Sequence, residues 1–320
     1  MNIPNSFGLN ANAKNLVYID NLDDLSILKS LDDKNILILG AGTNVILNDY
    51  FDGTVIKINL KDIEVIEDHI SVGAGVDWAD LIEYCLSNNL YGIENLTHIP
   101  GSVGAAPIQN IGAYGVEISS YILSVECFNF ITKQFETLAK DECQFTYRHS
   151  IFKLKNFIIL KVNFLFNKIF EPDISYPALT NFLVNNSINA NSLTPKTLSD
   201  SVKKIRNSKL PDPKIDPNVG SIFKNPLVNT KDFNHDFLIG HRWEIDKSIT
   251  KLSAARLIEL IKSEFDIPDT LRFYEKHSLV LVNNGSATFI EIVNLLSQIQ
   301  NKIFQKFNIE LVVEPEIISS

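Results

Sequence analysis

The chain has 320 residues, enough for two or three domains rather than a single core. Hydrophobic residues make up 45% and charged residues 21%, the balance of an ordinary globular enzyme. A formal net charge of −9 excludes nonspecific nucleic-acid binding, which needs a basic field. An anionic small ligand must then be held by local Lys, Arg and N–H groups.

Met1 to Asn15 lacks the basic-then-apolar pattern of a signal peptide, and no run is long enough to span a bilayer, so no membrane partner is expected. Asp23–Leu31 reads as a short helix, and Asn35–Leu39 as a short buried strand. The strand runs into Gly40-Ala41-Gly42-Thr43-Asn44. A Rossmann phosphate loop begins in this way, but position 45 is Val and no helix opens, so that fingerprint is absent. Asp77 caps a predicted helix through Asn88, with Trp78, Leu81, Ile82, Cys85 and Leu86 on one face.

The stretch Ile99 to Gly115 is the most informative. It holds four glycines and two prolines, and carries no charge. A surface loop of this length normally carries charge, and a core segment would not accept so many glycines, each costly in backbone entropy. The composition suits a loop on which a large ligand lies against the backbone, whose successive N–H groups bind phosphate oxygens. Gln109 and Asn110 offer amides that read a polar ring edge. A turn-rich crossover is the plainer reading. The Gly40–Asn44 loop upstream favours a dinucleotide held by backbone from two places, outside the Rossmann scheme.

Strands are expected at Val125–Phe130, Phe135–Leu138 and Phe157–Phe166, the last apolar enough for a central position. Cys85, Cys127 and Cys143 are isolated, without metal-ligand spacing. No metal is expected, and a reducing, cytoplasmic setting fits. Lys168–Ser192 has few strand signals; Thr194-Pro195 opens a helix that Pro211 stops. A hinge is placed there. The basic residues Lys203, Lys204, Arg206 and Lys209 read as a solvated face or as the seat of an anionic substrate. Further helices are expected from Ser253 to Phe265 and from Thr288, where Glu291 makes a capping box. The strand Leu279–Asn283 precedes the second and a strand Ile309–Glu314 follows it.

Three sites combine chemistry with unusual placement. Arg148, in Thr146-Tyr147-Arg148-His149-Ser150, reads as a solvated strand-end charge or as a fixed cation facing developing negative charge. Ser221 follows Gly220, which permits a bend that presents the hydroxyl; no G-x-S-x-G elbow surrounds it. Glu314-Pro315-Glu316 is either a solvated strand end or holds one buried carboxyl of raised pKa.

Taken in order, these motifs resemble the UDP-N-acetylenolpyruvoylglucosamine reductase (MurB) family over nearly the whole chain. They run from Asn5-Ser6-Phe7-Gly8 through both glycine loops and Tyr147–Lys153 to Gly220–Pro226 and Glu314–Glu316. His149 replaces an Asp of the family pattern. The resemblance implies an α+β, PCMH-type FAD-binding fold in which two small subdomains hold FAD and a third binds substrate. The expected limits are 1–57, with 315–320 returning to it, then 58–205, including a lid loop near 168–192, and 206–314. It implies noncovalent FAD, NADPH as reductant, and reduction of UDP-N-acetylglucosamine enolpyruvate to UDP-N-acetylmuramate by a monomer.

By the same resemblance, Arg148 and Glu316 stabilise the enolate and Ser221 donates the proton; the enolate charge favours a protonated Glu316, whereas Arg148 favours its ionisation. The cofactor set is Gly40, Ala41, Gly42, Thr43, Asn44, Pro100, Gly101, Ser102, Gly104, Ala105, Gln109, Asn110, Gly112, Ala113, Tyr114 and Gly115. Tyr147, Tyr176, Lys209, Asn225 and His277 are expected against substrate. Another PCMH-type oxidase is the alternative enzyme. Covalent flavin would need a His or Cys in the loops, and His98 comes nearest. A catalytically dead nucleotide binder is the third reading, disfavoured by Arg148, Ser221 and Glu316 standing together.

Overall fold

The computed structural model describes residues 1–31, 35–154, 156–232 and 238–319. They form two compact units: Met1, Ala13–Ala41 and Asp52–Ser208 in the first, Asn2–Asn12, Gly42–Phe51 and Lys209–Ser320 in the second. The last changeover, between Ser208 and Lys209, falls in the last turn of a helix, just before Pro211. The limit expected after residue 57 lies near the point, Asp52, where the chain re-enters the first unit. Val45–Leu47 pairs in parallel with Glu316–Ile318, and Phe7, Leu9 and Ile46 are buried in the core of the second unit.

The first unit is built on a five-stranded antiparallel sheet, in the order Gln134–Ala139, Ile122–Asn129, Phe157–Phe164, His69–Gly73, Ile63–Ile66. Phe157–Phe164 takes the centre because both of its faces are covered. Val162 and Phe164 pack into one core with Trp78 and Leu81; Ile158 and Leu160 pack into another with Ile19, Leu28 and Ile56. Beside it, Ile36–Ile38 pairs in parallel with Thr54–Ile56.

Four α-helices belong to this part of the chain: α1 (Ser26–Ser30), α2 (Trp78–Ser87), α3 (Pro177–Asn185) and α4 (Pro195–Lys209). Asp77 caps α2 by accepting the Ala79 N–H at 2.9 Å. Trp78, Leu81, Ile82 and Cys85 are its buried face, each large side chain contributing about 1.5–3 kcal/mol of apolar burial. α3 lies where the sequence reading placed no element. Pro177 stands at its first turn, where a missing N–H costs nothing. Its Leu179 and Leu183 meet Leu198, Val202 and Ile205 of α4.

The second unit has two antiparallel three-stranded sheets. One orders Asn218–Ser221, His277–Asn283 and Leu271–Tyr274; the other orders Leu227–Asn229, Ile249–Leu252 and Arg242–Glu244. Two helices, α5 (Ala254–Ile261) and α6 (Phe289–Phe307), complete the core. Thr288 and Glu291 form the expected capping box on α6. The strand expected over Ile309–Glu314 does not form. That segment is extended but makes a single bridge, Val313 with Phe223. The strand comes after Pro315, at Glu316–Ile318.

The three cysteines are free and buried. Burial pushes the Cys127 and Cys143 thiols up to about 12, so neither holds a ready thiolate. Among the described residues, no helix is long and apolar enough to cross a membrane. No group of three His, Cys, Asp or Glu among them is placed to hold a metal ion.

Candidate active site

In the first unit the two glycine-rich loops touch. A Cβ on Gly40 would lie 2.8 Å from Ser102 Oγ and 3.4 Å from Ala105 Cβ, so only glycine allows the approach. Lys57 locks the first loop from below, its Nζ donating to Gly40 O at 2.8 Å. Burial holds that ammonium below its usual pKa. Lys57 escaped the sequence reading, although a lone cation in the apolar run Val55-Ile56-Lys57-Ile58 was a usable signal. The second loop is stitched to the residues before α2: Trp78 N–H to Gly101 O at 3.0 Å, Val103 N–H to Val76 O at 2.9 Å and Gly104 N–H to Ala74 O at 2.9 Å.

The N–H groups of Gly40, Ala41, Gly101 and Ser102 have no acceptor among the described residues. Adjacent unclaimed amides on two touching loops form a ready anion cradle. Such a cradle fits the pyrophosphate of a dinucleotide such as FAD.

Beyond the loop, Gly112–Ala113 pairs with Val116–Glu117 around a two-residue turn. Tyr114 and Gly115 both have positive φ, +49° and +92°, as a tight mirror-image hairpin turn requires. Tyr114 is therefore strained, and its neighbours hold it. Asn95 Nδ2 donates to Tyr114 O and to Asp173 O, both at 2.8 Å, and the Tyr176 ring meets the Tyr114 ring edge-on at 5.5 Å. Burial raises the pKa of both phenols. Arg206 faces this pair rather than the solvated side of α4; burial lowers its pKa, opposed by Tyr114. Its Nε donates to His98 O at 3.1 Å. Lys203, Lys204 and Lys209 are exposed.

Arg148 lies against the same loop, not at a solvated strand end. Its Nη1 and Nη2 donate to Asn110 O at 3.3 Å and Gly112 O at 2.5 Å, and its guanidinium stands 5.2 Å from the centre of the Tyr147 ring. Gln109, the sequence neighbour of Asn110, is half-buried. The reading of the Asn110 side chain as a ring-edge reader gives way here. That amide is buried and turned into the protein, bonded to Glu117, Thr146 and Ser119.

In the second unit a bulge presents Ser221. Asn218 pairs with Val282 and Ser221 with Val280, so three steps on one strand match two on its partner. Gly220, at φ +74°, absorbs the extra residue; such bulges re-aim side chains. Ile222 N–H donates to Leu279 O at 2.9 Å, and Glu314 N–H donates to Ile222 O at 3.0 Å. Ser221 is thus flanked by the strand that begins at His277 and by the segment leading to Glu316. Glu316 N–H in turn binds Asn44 O at 3.0 Å, which joins the end of the first glycine loop to the same neighbourhood. Gly42 packs over Pro4, whose carbonyl would stand 2.5 Å from a Cβ.

Two expectations change. Glu316 is exposed, not a buried carboxyl, because it opens an edge pair rather than a packed strand. Asn225 caps α5, its Oδ1 accepting the Ala254 N–H at 3.0 Å, so its position serves the fold as well as any ligand.

Comparison with known proteins agrees with this arrangement. A family model described as an FAD binding domain matches residues 16–130. The model for the UDP-N-acetylenolpyruvoylglucosamine reductase C-terminal domain matches 212–318. The reductase of that name from Polynucleobacter asymbioticus is 37% identical over 98% of this chain and 94% of its own length. That of Neisseria gonorrhoeae is 37% identical over 97% and 94%. The crystal structure of the reductase from Thermus caldophilus superposes with a TM-score of 0.68 at 20% identity, covering 98% of this chain and 96% of that one, and supports the fold. Fold and cradle together define an FAD-dependent oxidoreductase of the α+β, PCMH type. The glycine loops sit in the segment matched as FAD-binding, and Ser221 and Glu316 in the segment matched as C-terminal domain. The chain belongs to the UDP-N-acetylenolpyruvoylglucosamine reductase family.

Proposed function

We propose that this enzyme reduces UDP-N-acetylglucosamine enolpyruvate to UDP-N-acetylmuramate with NADPH, as a step in peptidoglycan precursor synthesis. The chain-long likeness to reductases of that name carries the reading. When bound, FAD supplies two-electron hydride chemistry, with NADPH as its reductant. Gly40, Ala41, Gly101 and Ser102 hold its pyrophosphate.

Reduction of the vinyl group places negative charge on the neighbouring carbon and its carboxylate. Arg148, fixed by two carbonyls, stabilises that enolate as a preorganised cation. Glu316 is given a part in stabilising the same charge. Ser221, at the bulge, gives its proton to the carbon. A serine is a weak acid toward water, but a carbanion is a far stronger base. Lys209 and Asn225 bind the UDP diphosphate, and Tyr147, Tyr176 and His277 complete the substrate contacts. Three free, buried thiols suit a cytoplasmic enzyme, and a monomer is the oligomeric state proposed.

Purified protein should be yellow. NADPH should bleach the flavin band and the enolpyruvyl sugar should restore it. Acid should release the flavin into the supernatant. Flavin retained on the precipitated chain, or no reoxidation by the sugar, would overturn the reading.

A further inference from the structure

Arg148 sits on no helix or long strand. It is the third residue of the tight turn Thr146–His149, closed by Thr146 N–H to His149 O at 3.0 Å and His149 N–H to Thr146 O at 3.1 Å. Its φ is +54°, a region that a bulky residue enters at a cost. Two carbonyls outside the turn, Asn110 O and Gly112 O, hold the guanidinium, and Asn110 alone of the two also binds the turn through its side chain.

Asn110 is 1% exposed. Its carbonyl accepts Arg148 Nη1 at 3.3 Å. Its Nδ2 donates to Thr146 O, at the head of the turn, at 3.2 Å and to Glu117 Oε2 at 2.8 Å. Its Oδ1 accepts the Ser119 N–H at 3.1 Å. Asn110 has φ +46°, a conformation that Asn and Asp tolerate better than most residues. A Cβ on Gly112 would lie 3.0 Å from both Arg148 Nη1 and Glu117 Cγ, so Glu117 and Arg148 close on Gly112 together.

We infer that Asn110 and Glu117 are positioning residues that set Arg148 for catalysis. An amide can turn either end toward its partners. Thr146 O and Glu117 Oε2 accept and the Ser119 N–H donates, so together they oblige the amide to present its NH₂ end to Thr146 and Glu117 and its oxygen to Ser119. With that choice made, the turn is pinned at its head while the Asn110 carbonyl holds the guanidinium. Both residues act through Arg148. The inference rests on Arg148 being the enolate stabiliser proposed above.

Asn110→Asp tests it, since Asp keeps the shape and tolerates the backbone but lacks both Nδ2 protons and faces Glu117 with a like charge. Measured per bound flavin, the ratio of reoxidation by the enolpyruvyl sugar to reduction by NADPH should fall about 10²-fold, the cost of a small misplacement at a reacting centre. Hydrogen–deuterium exchange in the Thr146–His149 turn should quicken. Adding Glu117→Gln returns a donor to the Glu117 contact but none to Thr146 O, so it should recover about tenfold of the rate while the turn stays less protected than in the parent. If Asn110→Asp fails to fold, Glu117→Ala decides: about tenfold slower reoxidation supports the inference, and a parental rate overturns it. Arg148→Lys is the control. Parental reoxidation in Arg148→Lys defeats the role given to Arg148. Slow reoxidation there with parental Asn110→Asp, or an Asn110→Asp loss that spreads equally over both half-reactions without rescue, defeats the positioning role.

Discussion

Gly104 lies where the second glycine loop comes nearest to the strand end at Ala74. Its N–H donates to Ala74 O at 2.9 Å, and a Cβ at this position would stand 2.6 Å from Ala74 Cβ and 3.1 Å from Ala74 Cα and O. Carbon atoms attract best at about 3.5–4.0 Å, so Gly104→Ala requires the two backbones to part by roughly 1 Å. Overpacking of this kind costs about 1–3 kcal/mol, and the strained hydrogen bond adds about 1 kcal/mol. A total near 2–4 kcal/mol should lower the Tm by about 2–4 °C for each kcal/mol. Ser102 and Ala105 share this loop, and Gly40 packs on them, so flavin retained through gel filtration should fall as well. Adding Ala74→Gly removes the 2.6 Å contact. The pair should then couple by about 1 kcal/mol or more, and the net recovery of stability is smaller by the roughly 0.5–1 kcal/mol that the extra glycine costs. Thermal unfolding and the flavin absorbance per chain measure both effects. Parental Tm and full flavin content in Gly104→Ala would refute the tight approach.

Ser221→Ala should leave flavin reduction by NADPH near normal and slow reoxidation by the enolpyruvyl sugar severely, with Ser221→Cys keeping part of the rate. Rapid-mixing absorbance separates the steps, and the opposite pattern would move the proton donor to Glu316. Lys209→Ala should weaken UDP-sugar binding by roughly 1–3 kcal/mol, as expected for a lost charge-assisted hydrogen bond, with FAD content unchanged; calorimetric titration gives the affinity. Burial pushes the Asp62 carboxyl up, but its bond to Lys161 at 2.5 Å and the charge there outweigh this and leave it below its ordinary value. The Tm gap between parent and Asp62→Asn should therefore be full at neutral pH. It should close as pH falls from about 4 through the lowered folded value; a gap that widens toward acid would contradict the pairing.

Local signals were legible in the sequence. Asp77 before an apolar stripe and Thr288 three residues before Glu291 each mark a helix start by chemistry confined to one turn, and both caps form as read. The glycine loops were legible because their composition suits neither surface nor core. α3 was missed although Pro177 marks a first helical turn: Lys168–Ser192 as a whole shows little periodicity, and the helix depends on α4 for its burial. The strand expected before Pro315 looked plausible on apolar content alone, but pairing is decided by Val45–Leu47, far away in the chain. Asn110 has the same lesson at the site. Its neighbours suggest a ligand contact, whereas Thr146, which turns it inward, lies 36 residues on.

The parallel pair of Val45–Leu47 and Glu316–Ile318 also sets an order of events in the cell. Asn48 Nδ2 binds Ser319 O, a partner 271 residues downstream. At about 5–20 residues per second, a ribosome needs on the order of 15–50 s to make that interval. The first unit has all its residues once synthesis reaches Ser208, so it can collapse while its sister is still being made. During that wait Val45–Leu47 is an apolar strand with an open edge, the kind of segment that recruits wrong partners. Nascent chains stalled between Ser208 and Glu316 are therefore where chaperone dependence should peak.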